Sequence, residues 1–158
     1  MIRVGQGWDS HCLAEGRALR LGGVMIAFDR GLLGHSDADV LLHAVIDALL
    51  GAAGLPDIGS QFPDTDPAYA EISSLTLLER AGAALAAAGW QVVNIDSTVV
   101  AQQPRLTPYL DRMRANIAAA LAVPMAQVSV KAKTAEGLGP AGQGRSMEAM
   151  AVVLVEQG

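Results

Sequence analysis

Apolar and polar positions along this chain switch between two periods, and the switches mark its elements. Residues 2–8 (IRVGQGW) read as a strand that runs into Asp9-Ser10-His11. Residues 19–28 (LRLGGVMIAF) predict a hairpin, with Gly22-Gly23 supplying the positive-φ turn. From about Asp37 to Ala53 the apolar positions take helical spacing, with Ser36 as the expected N-cap. Asp39, His43 and Asp47 are spaced four apart on this helix and form one polar stripe on an otherwise apolar rod. Such a stripe is either a wet face or a site. Residues 56–67 (PDIGSQFPDTDP) are a loop dense in Pro, Gly and Asp, which is turn chemistry unless rigid flanks hold it against a ligand. Residues 73–88 predict an Ala/Leu helix, capped by Ser73 or Ser74 and stopped by Gly89. Residues 92–102 alternate as a strand does. Thr107-Pro108 reads as N-cap and first residue of a helix running to about Ala122, ended near Pro124. Residues 127–134 form another strand, and MEAMAVVLVE a last one after the glycine-rich AEGLGPAGQGRS. The order β-ββ-α-α-β-α-β-β lacks strict βαβ alternation. It predicts an α+β fold over residues 1–158: a single domain with one mixed sheet covered on one face by helices.

Composition narrows the choices. A chain of 158 residues buries about two-thirds of its unfolded surface and needs no staples. Its single cysteine, Cys12, excludes an intrachain disulfide framework. Side chains alternate on a strand, so Cys12 should face away from Asp9 and His11, as a small buried apolar residue. A net charge of −5 without a basic block gives nucleic-acid binding no support. No apolar run reaches the roughly 20 residues of a membrane span. The opening MIRVGQGWDSH lacks the apolar core of a signal peptide and reads as mature protein, so the expected compartment is cytoplasmic. Half the residues are hydrophobic but only 4% are aromatic, which favours closely packed helices on a sheet.

The candidate chemistry is Asp9 and His11, two apart on one strand face, together with His43 on the helix. One carboxylate and two imidazoles suit zinc, and three protein ligands leave the open fourth position of a catalytic zinc. The plainer alternative is a surface Asp and His on a strand and a satisfied core histidine on a helix.

Four blocks then carry a specific resemblance: GQGWDSH; LLGHSDADVLLHAVIDALLGAAGLPDIGSQFPDTDP; VVAQQPRLTPYL; and KAKTAEGLG. In order and spacing they resemble the 2-C-methyl-D-erythritol 2,4-cyclodiphosphate synthases of the non-mevalonate isoprenoid pathway, over nearly the whole chain. The resemblance implies a lyase that closes a ring on 4-diphosphocytidyl-2-C-methyl-D-erythritol 2-phosphate. The 2-phosphate attacks the β-phosphorus, CMP leaves, and no water is consumed. It also implies a homotrimer with active sites at the subunit interfaces.

Residue roles follow from the same resemblance. Asp9, His11 and His43 match the zinc ligands, with Asp9 and His11 also beside the substrate. Glu136 matches a carboxylate that helps hold magnesium or manganese. His35 and Ser36, ahead of the long helix, lie near the substrate phosphates, where helix-start N–H groups favour anions. Asp57, Ile58, Gly59, Phe62 and Asp64 match the region that grips the methylerythritol. Asp47 either bonds a hydroxyl or supports His43. Ala101, Gln102, Gln103, Pro104, Arg105 and Leu106, with Ala132, Lys133 and Thr134, resemble the cytidine pocket. Thr134 donates its hydroxyl to a phosphate, and His35, Thr134 and Glu136 are the expected catalytic contacts.

Some positions depart from the family. Gln6 and Trp8 stand where relatives often show GHGFD, and Gly137 where some carry a lysine. Pro140 and Gln143 replace an aromatic and an arginine that line the trimer-axis cavity, which removes a diphosphate clamp unless Arg145 substitutes. Two other readings use the same residues: a zinc phosphohydrolase, and a non-catalytic trimeric binding module.

Overall fold

A computed structural model describes residues 1–158. Seven strands and five α-helices follow the expected order with additions. The strands are β1 (Ile2–Glu15), β2 (Leu19–Leu21), β3 (Val24–Ile26), β4 (Arg30–Leu32), β5 (Trp90–Val100), β6 (Val128–Lys133) and β7 (Ser146–Gln157). The helices are α1 (Val40–Ala53), α2 (Ile58–Gln61), α3 (Ser74–Ala87), α4 (Leu110–Leu121) and α5 (Gly139–Gly142). Five strands form one mixed sheet in the order β4-β1-β7-β5-β6, in which only β5 and β6 run parallel. The predicted hairpin is the separate β2-β3 ribbon, with Gly22 and Gly23 at φ +58° and +72°.

The sheet is asymmetric, and β1 shows why. Its odd positions Gly5 and Gly7 are buried, whereas Ile2, Val4 and Trp8 on the other face are exposed. A Cβ on Gly5 or Gly7 would overlap the carbonyl oxygens of Ala48 and Ala44. The two glycines therefore let α1 lie directly on β1, and alanines complete the contact. Small residues at this seam allow the close approach, which accounts for a core rich in Ala and Leu and poor in aromatics. Helices α1, α3 and α4 and the hairpin share one contiguous core on this side.

Several boundaries differ from expectation. Asp39, not Ser36, is the N-cap of α1, and Gly54 closes the helix in the left-handed conformation at φ +72°. The Asp39 carboxylate accepts N–H bonds from Leu42 at 3.1 Å and from Gly22 and Gly23 at 2.9 and 2.8 Å. It is fully buried and belongs to no wet stripe. Burial pushes its pKa up to about 6 against three N–H donors that favour the charged form, so at neutral pH it remains an acceptor. A single 3₁₀ turn (Thr107–Tyr109) precedes α4, so Thr107 is not its cap. Cys12 does face away from Asp9 and His11, but it is exposed rather than buried, because nothing in the chain covers that face of β1.

Candidate metal centre

Alternation places Asp9 and His11 on the same side of β1 as Gly5 and Gly7, facing α1. His43 follows directly on the seam, beside Ala44. The three side chains meet. His11 Nε2 lies 2.8 Å from Asp9 Oδ2, His43 Nδ1 lies 3.1 Å from the same oxygen, and the two ring nitrogens are 3.3 Å apart. Zinc bonds of about 2.0–2.1 Å in a tetrahedral set put ligand atoms roughly 3.3 Å from one another. The three atoms thus already have close to the spacing of one tetrahedral face. Donor type and geometry both fit a divalent metal.

The electrostatics agree. Burial alone would raise the Asp9 pKa, but hydrogen bonds and charge from His11 and His43 outweigh it and lower the value to about 2. Burial works against a charged His11, yet bonding to Asp9 and the Asp9 charge raise its pKa overall. The other His11 nitrogen, Nδ1, is 2.6 Å from the Leu33 carbonyl oxygen. A carbonyl only accepts, so Nδ1 carries a proton, and deprotonation of the ring frees the Nε2 lone pair toward the cluster.

A cavity of about 330 Å³ opens over His11 and His43. Of the residues expected near the substrate, His35, Ser36, Ile58, Gly59, Phe62 and Asp64 line it. Asp57 does not: its exposed carboxylate caps α2, accepting from Ser60 N at 2.8 Å. Asp47 supports neither His43 nitrogen. Its Oδ1 accepts from Ile58 N at 2.8 Å and so pins the start of α2 to α1. The helix start near Ser36 is not an open anion site either. Ala38 N–H bonds to Ser36 Oγ and Asp39 N–H to Asp37 Oδ1, while Asp39 caps the next turn.

A second cavity, of about 520 Å³, gathers residues 101–106 with Ala132, Lys133 and Thr134, as expected. Glu136 lies just outside it, with its Oε1 3.5 Å from Thr134 Oγ1. The two cavities share no lining residue.

Sequence reasoning missed Phe28 and Thr107 in the second cavity and Tyr69, Ile72 and Leu77 in the first. It also missed Arg17, which donates to Leu32 O, Ser36 O and Glu71 Oε1 at 3.0, 3.1 and 3.2 Å and straps the His35-Ser36 loop to the end of β1. No local pattern marked these residues. They arrive through the chain's return paths.

Residues 2–156 match the YgbB family. This chain is a YgbB-family protein. It is 61% identical over 156 residues to 2-C-methyl-D-erythritol 2,4-cyclodiphosphate synthase of Syntrophomonas wolfei, an alignment covering 99% of both chains. It is 58% identical to the Neisseria gonorrhoeae protein of the same name, covering 98% of this chain and 96% of that one. Among solved structures, the bifunctional IspDF from Campylobacter jejuni superposes with a TM-score of 0.96 at 40% identity, covering all of this chain and 43% of that one. Plasmodium falciparum IspF, solved as a CDP complex, gives 0.86 at 34% identity over 99% of this chain and 96% of that one. The YgbB fold of this chain is thus the fold of proteins called cyclodiphosphate synthases. Pro140 and Gln143, where departures from the family are expected, fall in and beside α5, a short turn that the pattern reading took for loop.

Proposed function

We propose that this protein converts 4-diphosphocytidyl-2-C-methyl-D-erythritol 2-phosphate to 2-C-methyl-D-erythritol 2,4-cyclodiphosphate and CMP, in the cytoplasm, as a step of non-mevalonate isoprenoid synthesis. The observation that carries the reading is the convergence of Asp9, His11 and His43 beside a cavity lined by His35, Ser36, Ile58, Gly59, Phe62 and Asp64. Relatives above 55% identity with the synthase name add to it.

In this reading Asp9, His11 and His43 would hold zinc, and Glu136 would help hold magnesium or manganese. When bound, the two cations withdraw charge from the phosphoryl groups and offset the charge that builds on departing CMP. The chain's own residues do the positioning. Ile58, Gly59, Phe62 and Asp64 take the methylerythritol, and Asp57 holds α2, and with it Ile58 and Gly59, in place. His35 and Ser36 face the phosphates, and Thr134 donates its hydroxyl to one. Residues 101–106 with Ala132 and Lys133 take the cytidine. A 2-phosphate oxygen forms the new bond to the β-phosphorus as the bond to the CMP oxygen breaks, and CMP leaves with that electron pair. The nucleophile is already an anion, so no side chain need act as base. Holding both ends of one molecule in line supplies about 7–11 kcal/mol in favourable cases.

The separation of the two cavities supports an interfacial site, with zinc and sugar groups from one subunit and the nucleotide pocket from its neighbour in a homotrimer. The apolar side chains of Ile2, Val4, Trp8, Met150 and Val152 on the uncovered sheet face are consistent with such burial.

Turnover in ¹⁸O-labelled water separates this reaction from hydrolysis at the same centre. Ring closure releases CMP and leaves both products unlabelled. Label in the product means a phosphohydrolase, and absence of turnover with zinc bound leaves a binding module.

A further inference from the structure

Behind His43, on the side away from the cluster, a chain of hydrogen bonds runs through Ser74 to Asp37, two residues that no catalytic role above uses. His43 Nε2 is 2.9 Å from Ser74 Oγ and 3.2 Å from Ser36 Oγ. Ser74 is fully buried at the first turn of α3, and its hydroxyl donates to Asp37 Oδ1. Both Asp37 oxygens also accept backbone N–H groups, Oδ2 from Ser74 at 2.9 Å and Oδ1 from Asp39 at 3.1 Å.

The direction of the bond between Ser74 and Asp37 is forced. Asp37 receives donors on both oxygens and acts as acceptor throughout. The one Ser74 hydroxyl proton therefore points at Asp37. Toward His43, Ser74 Oγ offers only lone pairs. A 2.9 Å contact to Nε2 is then a bond only if Nε2 carries the proton. Nδ1 faces the Asp9 carboxylate at 3.1 Å and His11 Nε2 at 3.3 Å, and a cation among these three atoms requires Nδ1 to be bare, which leaves the proton of a neutral ring on Nε2, toward Ser74. His11 achieves the same end with a single carbonyl. His43 sits on a helix whose own carbonyls are engaged, so it needs the hydroxyl and carboxylate brought by α3 and the Asp37 loop.

We propose that Asp37 and Ser74 are positioning residues that fix the tautomer of His43 and so aim its Nδ1 lone pair at the metal. The inference rests on reading Asp9, His11 and His43 as a metal site. Asp37 and Ser74 touch neither metal nor substrate. They polarise the ring, raise its strength as a ligand and hold its plane, as outer partners of metal-bound histidines do. The same pair ties the start of α3 to the start of α1, which links the metal ligand to the packing of two helices.

Two measurements decide it. In the zinc-loaded wild-type protein, two-bond ¹H–¹⁵N spectra of the histidine rings should show His43 protonated at Nε2 and ligating through Nδ1. In Ser74→Ala, competition with a chromophoric chelator should show zinc held about 10–100-fold more weakly. A zinc-loaded wild type whose His43 ligates through Nε2, with the proton on Nδ1, overturns the proposal even if Ser74→Ala fails to fold. Zinc affinity of Ser74→Ala within twofold of wild type also overturns it, and a purely structural Ser74 would give that result with only a lower melting temperature. A wild type that binds no zinc at all is a different failure, that of the metal reading itself.

Discussion

Asp9 and His11 stand only 2.8 Å apart, and that closeness sets how the metal-free protein responds to pH. The His11 pKa is raised from 6.5, so folding binds its proton more tightly. The stability it contributes is complete below 6.5 and is lost as pH rises through the raised value. The Asp9 pKa is lowered from 3.8 to about 2, so its contribution is complete above 3.8 and is lost as pH falls toward 2. With chelator present the pair therefore stabilises most between these limits. Asp9→Asn should lower the urea midpoint more at about pH 5.5 than at about pH 8.5. Zinc would reverse the upper limb, because both rings must be neutral to ligate, so its added stability would grow with pH there. Equal losses at both pH values in chelator would mean that the pair is not coupled as described.

At the scale of elements, the seam between β1 and α1 decides whether His43 reaches β1 at all. Gly7→Ala puts a methyl group into the Ala44 carbonyl, and a well-packed seam resists such overpacking by about 1–3 kcal/mol or more. It should also weaken zinc binding, since His43 adjoins Ala44. Gly51, on the outer side of the same helix, has nothing within 4 Å of an added Cβ. Gly51→Ala should therefore stabilise by about 0.5–1 kcal/mol through helix propensity. Denaturation midpoints and a zinc titration of both variants check this, and a neutral Gly7→Ala would remove the seam from the explanation. The same elements mark what was legible. Period two on β1 correctly put Asp9 and His11 on one face, because alternation is a property of the local backbone. It misjudged the burial of Cys12, because burial depends on what covers a face. The N-cap of α1 went to Ser36 in the sequence reading, because Ser36, Asp37 and Asp39 all have capping chemistry. The hairpin, arriving from earlier in the chain with Gly22 and Gly23 N–H groups, selects Asp39. Three-residue β4 and four-residue α2 and α5 are too short to leave a period. The metal ligands were findable from residue type and spacing. Arg17, Ser74 and Phe28 were not, since only tertiary return brings them to the site.

For the whole molecule, one chain carries the Asp9-His11-His43 triad beside one cavity and the expected nucleotide residues around another, with no wall in common. If neighbours complete each other's sites, defects in different cavities are complementary. His43→Ala removes a metal ligand, and Ala132→Phe fills the second cavity. Each variant alone should form a trimer, of mass near three times 16.3 kDa, and turn over no substrate. Unfolded together and refolded as an equal mixture, they form interfaces in which an intact cluster from one chain meets an intact nucleotide pocket from the other. Random assembly gives that pairing at about one interface in four, so the mixture should recover about a quarter of wild-type CMP release. A site built within a single subunit gives none, because every chain in the mixture then carries its own defect. Simple mixing of the two folded variants, without subunit exchange, should also give none, which distinguishes shared sites from contamination by wild-type enzyme.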